Sequence, residues 1–254
     1  FQDRQYLALE MREWIRGRNP IFETLSAGRR AYYQLKIARG IEVQGRVAEI
    51  ESLARQKGIP LTYVDRDELN HLGENHQGLA LEVGPYPYGE VGDLLDLAQS
   101  KGEPPLILIL DIVQDPQNFG TLIRSAESFG VHGILIPLSR TVEVTPAVVH
   151  VSSGASEHML IARVNLAQAI QALKQNDLWL VGLESDPANQ SIDSIDLNVP
   201  LALVVGSEGR GLRELTRKSC DFLVRLPMTG RMESLNAAVA GSIALYLIFS
   251  ARNK

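Results

Sequence analysis

The stretch "LILILDIVQDPQNFGTLIRSAESFG", residues 106–130, decides the fold class of this 254-residue chain. It opens with an apolar run of strand length. Apolar residues at Leu122, Ala126 and Phe129 then recur at helical spacing. A fully apolar strand that leads into a helix is typical of a parallel sheet covered on both faces. The stretch therefore predicts one βα unit of a mostly parallel α/β sheet.

The alternation of apolar runs with helical patterns continues to the end of the chain. Further apolar runs of strand length are "GILIP" at 133–137, "LWLVGLE" at 178–184, "LALVVG" at 201–206 and "FLVRLP" at 222–227. Helical patterns cover residues 118–129, 145–154, 166–176 and 211–219. This alternation predicts an α/β domain over residues 106–254. Because ligands of such sheets bind beyond the carboxyl ends of the strands, the residues after each run are the candidates for a site.

The front of the chain, residues 1–83, reads as a smaller α/β domain. "NPIFETLSAGRR" predicts a helix with Asn19 as its N-cap and Pro20 in its first turn, and "VAEIESLARQKG" predicts a helix ended by Gly58. "PLTYVD" and "GLALEV" predict strands. The glycines and prolines of residues 84–105 predict a linker that contains a short helix.

Composition is that of an ordinary globular protein, with 45% hydrophobic and 22% charged residues. The single cysteine, Cys220, excludes an internal disulfide, and we interpret it as structural. The stretch "FQDRQYLALE", residues 1–10, lacks the design of a signal peptide because charges interrupt it. We therefore expect a cytoplasmic protein.

One uncharged segment, residues 234–251, reaches the length of a membrane span. Its alanines, serines and glycine make it small rather than strongly apolar, so we expect a buried helix and no membrane partner. The net charge of −5 argues weakly against a general nucleic-acid binder. We expect no metal.

Polar residues follow three of the predicted strands. Asn118 and Arg124 come after the first of these strands. In purely structural roles, Asn118 would be a helix N-cap and Arg124 a surface arginine. After "LALVVG" comes "SEGRGL", in which Gly209 and Gly211 allow a tight turn. This turn has neither the spacing of a dinucleotide fingerprint nor the lysine of a P-loop. Glu208 within it would repel a bound phosphate.

The third candidate stretch is "LPMTGRMESLNAA", residues 226–238. Ser234 is placed to cap the last helix. Asn236 lies in the first turn of that helix, where asparagine is disfavoured. The spacing alone leaves open whether Asn236 is a buried structural contact or part of a site.

Together, residues 111–130, 204–212 and 226–240 resemble the three motifs of the SpoU branch of the SPOUT RNA methyltransferases in order, spacing and placement after strands. More loosely, "GRNPIFETL" and "HQGLALEV" are similar to the ribosomal-protein-like substrate-binding domain of bacterial 23S rRNA guanosine 2′-O-methyltransferases. The resemblance is strong over residues 106–254. It departs from the family pattern at Ala237-Ala238, where Val-Ser is common after the asparagine.

The resemblance implies a fold and a methyl donor. The catalytic domain would contain a deep trefoil knot, an exception to the rule that chains are unknotted. S-adenosylmethionine would bind in the loops of the knot, in contact with Gly206, Leu226, Met228 and Leu235. The family acts as a homodimer, with the last helix at or near the interface.

The resemblance also places catalytic roles on Asn118, Arg124, Glu208, Ser234 and Asn236, the first two being in motif one. The reaction would be attack of a ribose 2′-oxygen on the sulfonium methyl group. Since an arginine is effectively never deprotonated, we expect Arg124 to position the RNA phosphate and ribose rather than act as a base. Glu208 would orient Arg124, and Ser234 with Asn236 would form the wall beside the donor.

We therefore expect an S-adenosylmethionine-dependent RNA 2′-O-ribose methyltransferase that acts on a guanosine of 23S rRNA as a homodimer. Alternatives are methylation of tRNA or of an rRNA adenosine, and a non-catalytic RNA-binding ribosome-assembly protein. A nicotinamide dehydrogenase is the weakest alternative, because the chain has no early glycine-rich βα turn. The acidic composition favours structured rRNA, recognised by shape, over generic duplex binding.

Overall fold

The computed structural model describes residues 12–139, 141–209, 211–232 and 234–253. The N-terminal stretch 1–10, for which no signal peptide is expected, lies outside the described residues. By contacts the chain forms two compact units, one of residues 1–87 with 144–158 and one of residues 88–143 with 159–254. No described helix is long and apolar enough to cross a membrane.

The first unit is a four-stranded sheet with helices. Its elements are β1 (Glu13–Arg16), α1 (Arg18–Ala27), β2 (Tyr32–Ala38), α2 (Arg46–Gln56), β3 (Leu61–Val64), α3 (Arg66–Leu72) and β4 (Leu79–Val83). The strand order is β1-β4-β2-β3, in which β2 and β3 are parallel and the β4 pairings are antiparallel. Ile15, Leu35 and Leu81 are fully buried in its core.

The first predicted helix begins differently from the expectation. Gly17 is the N-cap of α1, and Asn19 lies inside the first turn, so the prediction that Asn19 caps the helix is wrong. The reason is conformational. Gly17 has φ +91°, which a glycine adopts without penalty and which turns the chain from β1 directly into the helix. Pro20 is in the first turn, as expected.

A segment from the middle of the chain belongs to this first unit. It contains α6 (Pro146–Val151) and a 3₁₀ turn, Ala155–Glu157. Arg30 Nε and Nη2 donate to the two carboxylate oxygens of Glu157 at 2.8 and 2.9 Å. Both residues are buried, and a bidentate pair of this kind also fixes geometry. No local pattern in the sequence predicts that this segment packs into the first unit.

The second unit contains the seven-stranded parallel sheet that the apolar runs predict. Its elements are α4 (Val91–Lys101), β5 (Leu106–Leu110), α5 (Pro116–Ser128), β6 (Gly133–Pro137), β7 (Ile161–Val164), α7 (Leu166–Gln175), β8 (Trp179–Leu183), β9 (Gln190–Ser191), β10 (Leu201–Val205), α8 (Glu214–Ser219), β11 (Phe222–Arg225) and α9 (Ala237–Arg252). The order is β7-β6-β5-β10-β8-β11-β9, and every pair is parallel. The predicted α/β class is confirmed. The trefoil path of the chain stays a prediction with which this order is compatible.

The helix inside the predicted linker is part of the second unit's core. Leu94 and Ala98 of α4 are fully buried, and Leu94 packs with Ile107 and Leu135 of the sheet. A Cβ on Gly133 would lie 2.1 Å from Leu94 Cγ, so β6 needs a glycine where α4 crosses it. Contacts between residues distant in sequence therefore hold this segment in place.

Candidate functional site

The carboxyl ends of four adjacent strands are in register. Val205 of β10 pairs with Leu110 of β5 and with Leu183 of β8, and Leu183 pairs with Val224 of β11. Because parallel strands in register end at one edge, the residues that follow them meet there. The three stretches selected from the sequence follow β5, β10 and β11.

A cavity of about 660 Å³ opens at this edge. Its size is in the range of small-molecule sites in proteins. Of the predicted site residues, it is lined by Gly206, Glu208, Leu226, Met228, Ser234, Leu235 and Asn236. Asn118 and Arg124 are not among the described residues that line it.

The turn after β10 forms one wall of the cavity and depends on glycine. The Ser207 and Gly211 backbones exchange two hydrogen bonds of 3.1 and 3.0 Å, which closes residues 207–211 into a tight loop. A Cβ on Gly206 would lie 2.3 Å from the carbonyl carbon and oxygen of Gly211. Only glycine lets the two backbone segments approach this closely, which leaves main-chain groups to face the cavity.

A hydrogen-bonded cluster of three side chains links the three stretches. Asn236 Oδ1 accepts from the backbone N–H groups of Ala238 and Val239 at 2.9 and 3.1 Å, which directs its amide nitrogen away from the helix. That nitrogen donates to Asn118 Oδ1 at 3.0 Å and to Glu208 Oε1. Asn118 Nδ2 donates to the same Glu208 oxygen at 3.1 Å.

The geometry of this cluster assigns both amide orientations. Glu208 Oε1 accepts, so a nitrogen of each asparagine must face it. Glu208 Oε2 has no hydrogen-bond partner among the described residues, which leaves one carboxylate oxygen available to a ligand.

The structure corrects the helix cap expected at Ser234 and excludes the alternative interpretation of Asn118 as a helix cap. Asp115, not Asn118, is the N-cap of α5, and its Oδ1 accepts from Gln117 N–H at 3.0 Å. Asn236, not Ser234, is the N-cap of α9. Because Asp115 caps α5, the Asn118 side chain is free to join the cluster. Ser234 lies on the cavity wall without a capping role.

Arg124 is exposed on α5. The same helix packs closely against α9, where a Cβ on Gly241 would lie 2.6 Å from Leu122 Cδ2. Ser242 Oγ donates to Ala238 O at 2.7 Å, so Ser125 must be the donor of the 2.7 Å bond to Ser242. The small residues of α9 therefore serve a close contact between the two helices.

Two residues that line the cavity were not selected from the sequence. Glu184 and Ser185 follow β8 and line the cavity. Glu184 Oε2 accepts from Arg217 Nε at 2.9 Å. The rule that selects residues after strand ends would have found them if it had been applied to "LWLVGLES".

A buried carboxylate anchors the loop that follows the turn. Asp111, fully buried at the end of β5, accepts from Arg213 N–H and Nε at 2.7 Å each and from Thr216 Oγ1 at 3.0 Å. It ties the end of the second motif to the start of the first.

The surroundings of Cys220 are those of a structural cysteine. Its thiol donates to Thr216 O at 3.3 Å, and burial raises the pKa of the Cys220 thiol to about 12. The thiol therefore stays protonated at neutral pH and is a poor nucleophile. Among the described residues, no group of His, Cys, Asp or Glu side chains could hold a metal ion.

The fold and cavity define an α/β enzyme with a small-molecule site at the carboxyl edge of a parallel sheet. A model of the SpoU rRNA Methylase family matches residues 105–246, and a model of RNA 2′-O ribose methyltransferase substrate binding matches residues 14–89. The chain belongs to the SpoU rRNA methylase family. It is accordingly an RNA 2′-O-ribose methyltransferase, and its methyl donor is S-adenosylmethionine.

Individual relatives are similar over nearly the whole chain. A TrmH family tRNA/rRNA methyltransferase of Bacillus subtilis, YacO, is 40% identical over 246 residues, which are 96% of this chain and 98% of YacO. An uncharacterized tRNA/rRNA methyltransferase of Mycobacterium leprae is 43% identical over 92% of this chain and 75% of its own. The solved structure of AviRb from Streptomyces viridochromogenes, in complex with AdoMet, has a TM-score of 0.81 at 23% identity and covers 96% and 92% of the two chains. That likeness shows the shared fold.

Proposed function

We propose that this methyltransferase acts on a guanosine ribose of 23S rRNA. The observation that carries the catalytic assignment is the cluster of Asn118, Glu208 and Asn236 at the cavity edge. The resemblance of the front domain to the substrate-binding domains of 23S rRNA guanosine methyltransferases supports the choice of substrate. The names of the relatives, which give tRNA and rRNA together, make tRNA the second candidate.

The cavity has the chemistry that the methyl donor requires. S-adenosylmethionine carries positive charge on its sulfonium and ammonium groups, and Glu184 and Glu208 place two carboxylates on the cavity wall. The main chain around Gly206 offers N–H and C=O groups for the adenine, and Leu226, Met228 and Leu235 offer apolar surface. The same carboxylates disfavour an anionic nucleotide cofactor.

The catalytic side chains position the ribose. Bound S-adenosylmethionine supplies a methyl group already activated by the sulfonium, so the protein must mainly orient the 2′-hydroxyl and provide a route for its proton. Arg124 binds the RNA phosphate beside that ribose, and Glu208 Oε2 is the acceptor that orients Arg124. Asn118 and Asn236 hold Glu208 in place, Ser234 lines the adjoining wall, and the proton leaves through phosphate or water.

The functional form is a homodimer that uses the exposed face of α9. Val239, Ile243 and Tyr246 recur at helical spacing on this helix, and all three are exposed. Phe249 extends the same apolar surface. An apolar stripe along a helix that also forms the cavity edge would couple dimerisation to the integrity of the site.

The experiment that tests the substrate is nucleoside mass spectrometry. Unmodified 23S rRNA, 16S rRNA and tRNA are incubated separately with the protein and labelled S-adenosylmethionine. Label in 2′-O-methylguanosine from 23S rRNA is expected. Label confined to tRNA, or to another nucleoside, would replace the proposed substrate, and size-exclusion chromatography with light scattering that finds a monomer would contradict the dimer.

A further inference from the structure

A second concave site lies in the first unit. It has a volume of about 450 Å³ and is lined by three arginines, Arg18, Arg39 and Arg66, with Gln77 beside them. Its floor is formed by Ala38, Gly40, Ile41 and Gly78. No carboxylate is among the described residues that line it.

The arginines of this pocket are available to a ligand. Arg18 and Arg66 have no ion-pair partner among the residues that the structure describes. Arg39 has a 3.4 Å contact with Asp65, but both side chains are strongly exposed, so RNA phosphate can replace this pairing. Arg16 shows the contrast, because its guanidinium donates to Leu72 O at 2.6 Å and is thus part of the framework.

A rigid loop forms one side of the pocket. Asn75, Gln77 and Gly78 have φ of +60°, +51° and +84°, a region that favours glycine. His76 secures this loop, because its Nδ1 accepts from Gly78 N–H at 2.9 Å and its Nε2–H donates to Asn70 Oδ1 at 2.9 Å. Strained backbone that is held this firmly is typical of binding sites.

Gln77 offers an additional group to a ligand. Its Oε1 accepts from the backbone N–H of Arg18 at 3.0 Å, which fixes the side chain against the start of α1. The amide nitrogen then points elsewhere and has no acceptor among the described residues. A fixed amide donor beside three guanidinium groups can recognise a base edge or a phosphate oxygen.

We infer that this arginine pocket binds one unstacked nucleotide of the RNA substrate, with its phosphate on the arginines and its base against the floor. Guanidinium groups pair with phosphate in a bidentate manner and stack on bases, and single-stranded RNA exposes both. The inference rests on the proposed function for the identity of the RNA. It would let a chain with a net charge of −5 bind RNA, since three arginines converge in one concave site that no described carboxylate lines.

The test compares two double variants of the whole protein. Arg18→Ala/Arg66→Ala removes two charges from the pocket, and Arg46→Ala/Arg55→Ala removes two charges from α2 of the same unit, where both arginines pair with glutamates. Binding to transcribed 23S rRNA and to a 20-nucleotide single-stranded RNA is measured at several KCl concentrations. Methyl transfer to the transcript is measured in parallel.

The pocket variant is expected to bind RNA at least about 10-fold more weakly, and its salt slope on the single strand should fall by about 0.7, the value for one lost phosphate contact. The α2 variant should stay within about twofold of the wild type. Equal affinity and slope for the two variants would overturn the inference. Polyglutamate, an anion without bases, is the control for charge alone, and a loss of binding to polyglutamate as large as the loss of binding to RNA would also overturn it.

Failure of the inference and of the proposed function are distinguishable. If the wild-type protein methylates RNA and the pocket variant has an unchanged KM for RNA, only the inference about the pocket is overturned. A wild-type protein that binds RNA through the pocket but methylates neither guanosine nor 23S rRNA would support the pocket and overturn the proposed substrate.

Discussion

The donor cavity of the second unit and the arginine pocket of the first unit have opposite charge. The cavity of the second unit is lined by Glu184 and Glu208 and by main chain, whereas the pocket of the first unit is lined by three arginines and no described carboxylate. Each charge complements a different ligand, the cationic methyl donor in one case and the RNA phosphate in the other. A modestly acidic protein can therefore use an anionic substrate, because the relevant charge is local.

The two sites also differ in what keeps them rigid. Gly206 and the turn 207–211 shape the donor cavity by close backbone contact, while a strained loop held by His76 shapes the arginine pocket. Changes in the first site should affect catalysis or donor binding, and changes in the second should affect RNA binding. The following predictions test this separation, in order of decreasing effect.

The largest effect is expected from Arg124→Ala. Loss of the side chain that positions the ribose and phosphate should lower the rate of methyl transfer by about 10³-fold. Donor binding should stay within about twofold, since Arg124 is not among the described residues that line the cavity. Single-turnover kinetics and calorimetry with S-adenosylmethionine measure the two quantities, and normal turnover would contradict the assignment.

A smaller effect is expected at Asn236, where two variants separate capping from catalysis. Asn236→Ser keeps a good N-cap but removes the amide donor to Glu208, so activity should fall by about 10²-fold with little change in stability. Asn236→Ala should lose the same activity and also about 1 kcal/mol of stability. Thermal unfolding and methyl transfer are measured together. Full activity of Asn236→Ser would mean that the residue is only a cap.

Gly206→Ala should weaken donor binding by about 10-fold or more, a loss of about 1.4 kcal/mol. The physical reason is that its Cβ would lie 2.3 Å from Gly211 C and O, so the turn must move. Calorimetry measures the Kd of S-adenosylmethionine. The matched control is Gly92→Ala on α4, where a Cβ meets nothing within 4 Å. Equal donor affinity in the two variants would show that the turn does not shape the cavity.

The smallest effect concerns the arginine pocket and pH. Burial, with added repulsion from Arg66 and Arg16, lowers the pKa of His76 below its ordinary value. The folded state therefore binds a proton at His76 less readily than the unfolded state does. The stability that neutral His76 contributes is present above about pH 6.5 and is lost as the pH falls through the lowered pKa.

The measurement for His76 is amide hydrogen exchange at pH 7.5 and pH 5. Protonation of Nδ1 breaks its bond from Gly78 N–H, so protection of the Gly78 amide should fall several-fold at the lower pH. The Arg39 amide, bonded to Val64 O at 2.8 Å, is the control. Unchanged protection of Gly78 relative to Arg39 would show that His76 does not hold the loop.

Periodicity predicts the second unit well and the first unit only in part. The five apolar runs correspond to β5, β6, β8, β10 and β11. Every residue of β5, β6 and β10 is buried, and strands covered on both faces leave a continuous apolar pattern in the sequence. The shorter or mixed segments β1, β2, α3, β7 and β9 were not predicted. In β2, the buried Leu35 and Ile37 alternate with Gln34 and Lys36, which is the pattern of a half-buried strand, but this alternation was not used to predict one.

The candidate site was predictable as a set of residues but not as a geometry. The rule for strand ends selected Asn118, Glu208 and Asn236, and the structure brings them into one hydrogen-bonded cluster. The same rule could have selected Glu184. Which asparagine caps a helix, and the fact that both turn their amide nitrogens toward Glu208, depend on neighbours that only the folded chain provides.

By itself, the sequence determined the α/β class, the positions of the apolar strands along the chain and the residues that follow them, because these depend on side-chain periodicity along a few consecutive residues. The tertiary structure alone decided the packing of residues 144–158 into the first unit through Glu157, the convergence of Arg18, Arg39 and Arg66, and the contact between Asn118 and Asn236. Those groups are far apart in the chain. Their approach is set by strand register and topology, which no local pattern encodes.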